Sequence, residues 1–562
     1  MTAVNVSGHA IDALFDDVEV NGPGAAVGIY HRGRPTLTRG YGLADLESGL
    51  PITPQTSFHA ASVSKQFTAF AIALLAQEGA IDLEADVRDY LPYVPDFGST
   101  ITVRHLILHT SGLRNQVTLL LLGRQGVESR TTQQHVVNLV ARQRTLNFPP
   151  GTDYSYSNTG YVLLAEIVFA VTGRSLREFT AERIFEPLGM QHTFFVDDVT
   201  EIVPRRASSY TRRRGEDGRD LGGWARALLN YDNVGSSGLS TTVEDLTRWA
   251  GNFADPMVVA EGLIPKVCAG GALEDGTPID YGFGLARGEI AGHAALSHTG
   301  SDASFRSVFT YFPEHDFSVS ILANTELALL DKAAAIAKLI LPEVEKVLET
   351  PLAAYTELDL SRFEGIYVPE HDISRRLEVI NGVLFHRWGS RNPQRLTARE
   401  DGTLDFGSPG GPSFTPVIEA DGQVLGLTMP RPGAGRPHCL RRVLTLDEPV
   451  GDLTEYVGDF RCPELDITYS VGVKEDGLVL RHLWSSRRAA KLSPVLPDRF
   501  EFEGDRLAQR LKIVLVFRRD SDGRIDGMLM HTGGDRDINF DKVGNARPPA
   551  PAASIRAQGV WG

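Results

Sequence analysis

From Ser62 to Glu78 the chain reads SVSKQFTAFAIALLAQE, apolar around most of a helical circumference and stopped by Gly79. That pattern predicts a helix buried inside a domain rather than one lying on its surface. Ahead of it, Ala25–Tyr30 and Thr36–Tyr41 are apolar runs around the turn HRGR, which predicts a β-hairpin. Amphipathic periodicity predicts further helices at Val103–His109, Thr132–Arg142, Tyr161–Thr172 and Val243–Phe253. The period then returns to two: Phe305–Phe312 and Phe317–Asn324 flank the turn PEHD, and a last helix is expected over Lys332–Leu348. Strands at both ends with helices between them imply one α/β domain, residues 1–345, whose sheet joins its N- and C-terminal segments.

After Glu349 the helical pattern stops, and short strands alternate with turns such as SPGGP and RPGAGRP. This half repeats itself. LSRFEGIY (360–367) matches LTEYVGDF (453–460), and INGVLFHRW (380–388) resembles EDGLVLRHLW (475–484). LDF (404–406) parallels FEF (500–502), and DGQVLGLTM (421–429) parallels DGRIDGMLM (522–530). A period of about 93–101 residues predicts two duplicated antiparallel barrels, at 358–447 and 450–545, behind a linker at 346–357. The Pro/Ala-rich stretch 546–562 reads as a tail.

Composition narrows the partners. The chain has 562 residues and a formal charge of −15. Such a surface repels phosphate backbones and anionic lipid, so neither nucleic acid nor a membrane is expected as a partner. The densest apolar patch, Val117–Leu122, is far short of the ~20 residues of a membrane span. The first residues, MTAVNVSGHAIDALFDDV, lack the basic flank and apolar stretch of a secretory signal, so a cytoplasmic location is expected. Three scattered cysteines suggest no disulfide framework, and the 15 histidines include no HExxH, so no metal or other cofactor is expected.

Three short motifs can carry chemistry. Ser62 and Lys65 are spaced i, i+3 and share one face of the buried helix, where burial would lower the lysine pKa enough for it to take the serine proton. Tyr156 and Asn158 sit in a Pro/Gly-rich stretch entering a helix, where a phenol can relay a proton and an amide can hold both lysine and substrate. Tyr231-Asp232-Asn233 has the same spacing and is set aside for its context. His298-Thr299-Gly300 precedes the last hairpin, where a strand edge can pair with an extended substrate. A second His-Thr-Gly, at 531–533, is expected at a structural turn of the second barrel, far from the serine.

In this order and context the motifs resemble the penicillin-recognising serine hydrolases, a group that includes class C β-lactamases, DD-peptidases and related esterases. LHTSGL (108–113), RIFEPLGM (183–190), SSGLSTTVEDLTRW (236–249) and YGFGL (281–285) fit the same pattern. The resemblance implies a β-lactamase/transpeptidase-like α/β (α+β) domain, and the whole-chain layout is similar to that of the bacterial D-aminopeptidases, with two eight-stranded, lipocalin-like antiparallel barrels. It implies Ser62 as acylated nucleophile, Lys65 as its base, Tyr156 as proton relay and Asn158 as partner of substrate and lysine. His298 takes the place that lysine holds in most of these relatives, beside Thr299 and Gly300. The backbone N–H groups of Ser62 and Ser301 would form the oxyanion hole.

It further implies a homodimer, and a last-barrel loop reaching the cleft, here Trp484–Lys491 with Arg487 and Arg488. That basic loop is a poor match for a substrate ammonium, so an acidic or acylated substrate stays open. The expected activity is metal-independent hydrolysis of small amides or peptides with release of an N-terminal, D-configured residue. The alternatives are an esterase or a β-lactamase/DD-peptidase on the same machinery, and a non-catalytic protein holding an apolar ligand in its barrels.

Overall fold

A computed structural model of the chain describes residues 8–123, 129–215, 218–258, 262–344, 359–388, 393–406, 413–431, 434–443, 451–474, 477–482, 490–503 and 511–543. The linker expected at 346–357, the tail at 546–562, and both Arg487 and Arg488 lie outside the described residues.

The N-terminal hairpin, Ala25–His31 with Arg34–Tyr41, completes a seven-stranded antiparallel sheet whose other five strands come from residues 281–323. Ala25 pairs with Tyr41 on one side and Ala323 on the other, so the two ends of the domain meet as expected. Both faces of the sheet are covered, which is why Phe317–Ala323 is buried along its whole length. On one face Ala26, Tyr30 and Leu322 pack with the helices Ser64–Gln77, Asn158–Thr172 and Val243–Ala254. On the other, Val27, Val319 and Ile321 pack with Ile11, Phe15 and the helix Leu329–Ile340. Gly28 lets a helix approach: a Cβ there would stand 2.8 Å from the Val243 carbonyl oxygen. The last helix is shorter than the periodicity predicts. Leu341 is extended (φ −82°, ψ 154°) because Pro342 follows it, and a residue before proline is driven out of the α region.

The C-terminal half forms two closed eight-stranded antiparallel barrels. Ile366 pairs with Val443 to close the first, and Asp459 with Val543 to close the second. The sequence repeats fall on corresponding elements: Gly365–Pro369 with Gly458–Cys462, Val383–Trp388 with Gly477–His482, Leu404–Asp405 with Arg499–Glu503, and Val424–Arg431 with Ile525–His531. Each barrel is preceded by a 3₁₀ turn that buries one ring, Phe363 or Tyr456. Lys491 is part of a strand, Ala490–Leu496, rather than of the expected loop.

The second barrel is not an empty cup. The apolar patch at 117–122 forms the helix Gln116–Leu122, and its Leu119, Leu120 and Leu122 join Leu139 in one core with Phe460, Leu480, Phe500 and Phe540 of the barrel. The Tyr469 hydroxyl donates to the Leu122 carbonyl at 2.8 Å. Beside this plug, Arg114 is fully buried (0% exposed) and meets Glu464 of the barrel, itself 6% exposed, at 3.0 Å. Among the described residues, these leucines extend the second barrel's apolar core into the first domain. Among the described residues, no single helix is long and apolar enough to cross a membrane.

Candidate active site

Ser62 lies in the 3₁₀ turn Ala61–Val63 that leads into the helix Ser64–Gln77. Ala61 sits at φ 48°, a conformation that is costly for a residue with a Cβ, and two bonds hold the turn in place. The Ser64 hydroxyl donates to the Ala61 carbonyl at 2.5 Å, and the Ser307 hydroxyl donates to the Ala60 carbonyl at 2.6 Å. One turn on, Lys65 is completely buried. Its Nζ donates to Asn158 Oδ1 at 2.7 Å and to the Ser236 carbonyl at 2.7 Å, and lies 3.1 Å from Ser62 Oγ. In the neutral amine the two N–H groups are used by the carbonyls and the lone pair is left for the serine hydroxyl. Among the described residues no carboxylate bonds to Lys65. Burial therefore drives its pKa well below the ordinary 10.5, and the charge of Asp302 opposes that shift only in part.

Tyr156 packs over the lysine, with Nζ 4.8 Å from its ring centroid. Burial pushes its phenol pKa up, and hydrogen bonding to Ser62 offsets part of the rise. The ring belongs to an aromatic cluster around His109, whose centroid lies 4.3 Å from that of Tyr156 and 4.8 Å from that of Tyr281. His109 Nδ1 accepts the Ser157 backbone N–H at 3.2 Å, which fixes the approach of the Tyr156–Asn158 segment.

His298, Thr299, Gly300 and Ser301 lie in the strand His293–Asp302. The neighbouring strand Leu285–Ile290 pairs with it only as far as Ser297, so from His298 onward that edge is unpaired among the described residues. His298 does not carry a charge near neutral pH. Burial lowers its pKa to about 3, helped by the nearby Lys65. Its Nδ1 donates to the Thr299 carbonyl at 2.6 Å, leaving Nε2 to accept from the Tyr281 hydroxyl at 3.1 Å. Asp302 ends the same strand, 3.2 Å from His59 Nε2, which also lies 3.0 Å from Ser237 Oγ.

The structure thus gathers Ser62, Lys65, Tyr156, Asn158 and the His298–Ser301 strand, all read from sequence. It adds Ser236, Tyr281, His109 and Asp302; the first three lie in the family-like stretches SSGLSTT, YGFGL and LHTSGL. The decoy Tyr231-Asp232-Asn233 is used structurally: Asp232 accepts the Val199 N–H at 2.6 Å and pairs with Arg130.

The other decoy requires a correction. The loop following His531 is not remote from the serine's domain. A cavity of about 730 Å³ is lined by Tyr154 and Tyr156 of the first domain, Glu370 and His371 of the first barrel, and Gly533 and Gly534 of the second. At its wall Asp153 pairs with Arg431 of the first barrel and Arg536 of the second, each at 2.9 Å, so one carboxylate ties three domains together. Ser155 Oγ donates to the Gly534 carbonyl at 3.1 Å. The repeat hides this docking, since the first barrel has PRP where the second has the loop. Among the described residues, His371, His531 and Asp537 bring potential metal-ligand atoms within 4.8 Å of one another at this junction.

A serine bonded to a desolvated lysine at i+3, an asparagine on that lysine and an open-edged strand beside them define a class. The chain belongs to the beta-lactamase family, whose model matches residues 11–340, and it is a serine hydrolase. Within that class it is similar to D-aminopeptidases. That of Gluconobacter oxydans (strain 621H) is 29% identical over 452 residues, covering 79% of this chain and 80% of the relative. That of Cereibacter sphaeroides (strain ATCC 17023) is 30% identical over 398 residues, covering 70% and 72%. Two solved structures share the fold. The octameric penicillin-binding protein homologue from Pyrococcus abyssi has a TM-score of 0.51 at 23% identity, over 84% of this chain and 97% of that one. The D-amino acid amidase from Ochrobactrum anthropi SV3 has a TM-score of 0.52 at 22% identity, over 59% and 98%.

Proposed function

We propose that the chain hydrolyses small amides and peptides through an acyl-enzyme on Ser62, releasing an N-terminal residue of D-configuration. The observation that carries this reading is the Lys65 amine 3.1 Å from Ser62 Oγ in a site that favours its neutral form. Neutral Lys65 takes the hydroxyl proton as Oγ bonds to the carbonyl carbon. The resulting oxyanion is stabilised by the Ser62 and Ser301 backbone N–H groups. As the C–N bond breaks, the amine leaves with a proton relayed through the Tyr156 phenol. Water then attacks the ester, the proton path runs in reverse, and Ser62 is freed.

Two features favour a free amine over a carboxylate as the group recognised. Neutral His298 provides no cation for a C-terminal carboxylate or a β-lactam acid. Asp302 is the carboxylate whose charge reaches Lys65, and it can face a substrate ammonium that the basic residues Arg487 and Arg488 would not hold. Hydrolysis of D-alanine p-nitroanilide, its N-acetyl derivative and p-nitrophenyl acetate is the test. The free amine is expected to be preferred and all turnover lost in S62A. Preference for the acetylated amide would overturn ammonium recognition, and turnover of the ester alone would make the chain an esterase.

A further inference from the structure

The catalytic lysine is connected to the second barrel by a short, continuous chain of hydrogen bonds. Lys65 Nζ donates to Asn158 Oδ1 at 2.7 Å. The amide nitrogen of Asn158 donates in turn to Asn115 Oδ1 at 3.3 Å. The Asn115 backbone N–H donates to Asp535 Oδ1 of the second barrel at 2.8 Å. Asn147 Nδ2 donates to the same carboxylate oxygen at 3.1 Å, and Asp535 is 1% exposed. Burial pushes the Asp535 carboxyl pKa up, while the bonds from Asn115 and Asn147 oppose that rise.

Next in sequence to Asn115, Arg114 reaches Glu464 and the carbonyls of Arg536 and Asp537, all from the second barrel. Two adjacent residues of the first domain are therefore gripped by the barrel directly behind Asn158. Asn115 also caps the helix Gln116–Leu122, whose leucines plug that barrel. Movement of the barrel cannot leave Asn115 in place, and Asn115 sets which way the Asn158 amide faces. With its nitrogen bonded to Asn115, Asn158 must present its oxygen to Lys65.

We infer that Asp535 is a positioning residue for the reaction: through Asn115 it fixes Asn158, and hence Lys65, so that Ser62 reaches full reactivity only with the second barrel docked. This rests on the proposed role of Lys65. The role suits an acceptor at the end of a polar chain, because a flipped or displaced Asn158 would remove one of the lysine's two carbonyl anchors. Asp535 touches neither substrate nor the reacting atoms, so its loss should slow acylation rather than weaken binding.

The test follows the rate at which a fluorophosphonate phosphonylates full-length enzyme as a function of pH, together with kcat and KM on D-alanine p-nitroanilide. D535A and N115A are each expected to slow phosphonylation and kcat about 10- to 100-fold with little change in KM. Loss of the Asn158 acceptor also favours the neutral amine, so the acid limb of the profile should move to lower pH in both. D535N, which keeps an oxygen in place, should recover most of the rate lost in D535A. D535A combined with N115A should be no slower than the worse single variant, because both act through one chain. N115A changes no barrel residue and keeps the backbone N–H to Asp535, but it also removes the cap of the helix Gln116–Leu122, so urea midpoints measured beside the rates separate positioning from folding. Wild-type rate and an unmoved limb in N115A would overturn the inference, whatever D535A does to stability. A wild-type enzyme that the probe fails to label would overturn the role of Lys65 itself and the inference with it.

Discussion

Gly300 and Ala60 approach so closely that a Cβ on Gly300 would lie 2.5 Å from the Ala60 carbonyl oxygen. The strand carrying His298–Ser301 is thereby pressed against the turn that presents Ser62. The same Cβ would stand 2.2 Å from Ser307 Oγ, the atom that holds the Ala60 carbonyl. Replacing Gly300 by alanine should therefore push strand and turn apart. A displacement near 1 Å at reacting groups costs roughly 10²-fold in rate. G300A is expected to lose about that much in kcat while its circular dichroism stays that of the native fold.

Lys65 and its pH profile form a second test. Because burial depresses its pKa well below the ordinary 10.5, the base form is available at lower pH than in a free lysine. The rate of acylation should fall as pH drops through that lowered pKa and level off above it. K65A should lose ~10²–10⁴-fold, and K65R should lose as much, because a guanidinium keeps its proton. The acid limb should remain in H298N, since His298, with a pKa of about 3, is already neutral across it. Stopped-flow acylation of the three variants from pH 4 to 10 checks this.

The same histidine links stability to acid. In the folded chain His298 binds no proton until about pH 3, whereas an unfolded histidine binds one near ~6.5. Below that pH the unfolded state takes up more protons, so stability is full above ~6.5 and declines as pH falls toward 3. His531, also lowered to about 3 chiefly by burial, acts in the same direction. Thermal melts should show Tm falling between pH 6.5 and 4, with a shallower fall in H298N.

Docking of the second barrel should be costly to disturb. L122A removes a buried leucine from the shared core and is expected to destabilise by ~2–5 kcal/mol. R114M leaves Glu464 buried without its partner, which typically costs ~3–5 kcal/mol. Urea unfolding should show both, and an apolar probe dye should bind L122A more strongly than wild type.

The parts of this molecule legible in sequence are those whose determinants lie within a few residues. The helix after Ser62, the hairpin Ala25–Tyr41 and the i, i+3 pair of Ser62 and Lys65 depend on local period and spacing. The barrel repeat was legible because duplication left matching patterns on corresponding strands. What could not be read is contact between distant segments. Nothing near Asp535 announces that it lies behind Asn158, and Val117–Leu122 looks like any apolar patch until the barrel closes on it. The sequence of His531-Thr532-Gly533 does not show that the loop after it meets the first domain, because those contacts come from docking. His298 was legible as a site residue, but its neutrality depends on burial beside Lys65 and Tyr281.

The central claim is that Ser62, activated by Lys65, is the nucleophile that becomes covalently bonded in the reaction. Intact-mass spectrometry after exposure to a fluorophosphonate tests it most directly. One adduct per chain is expected, on Ser62 by peptide mapping, absent in S62A and strongly slowed in K65A. An unlabelled wild-type chain, or a label that persists in S62A, would contradict it.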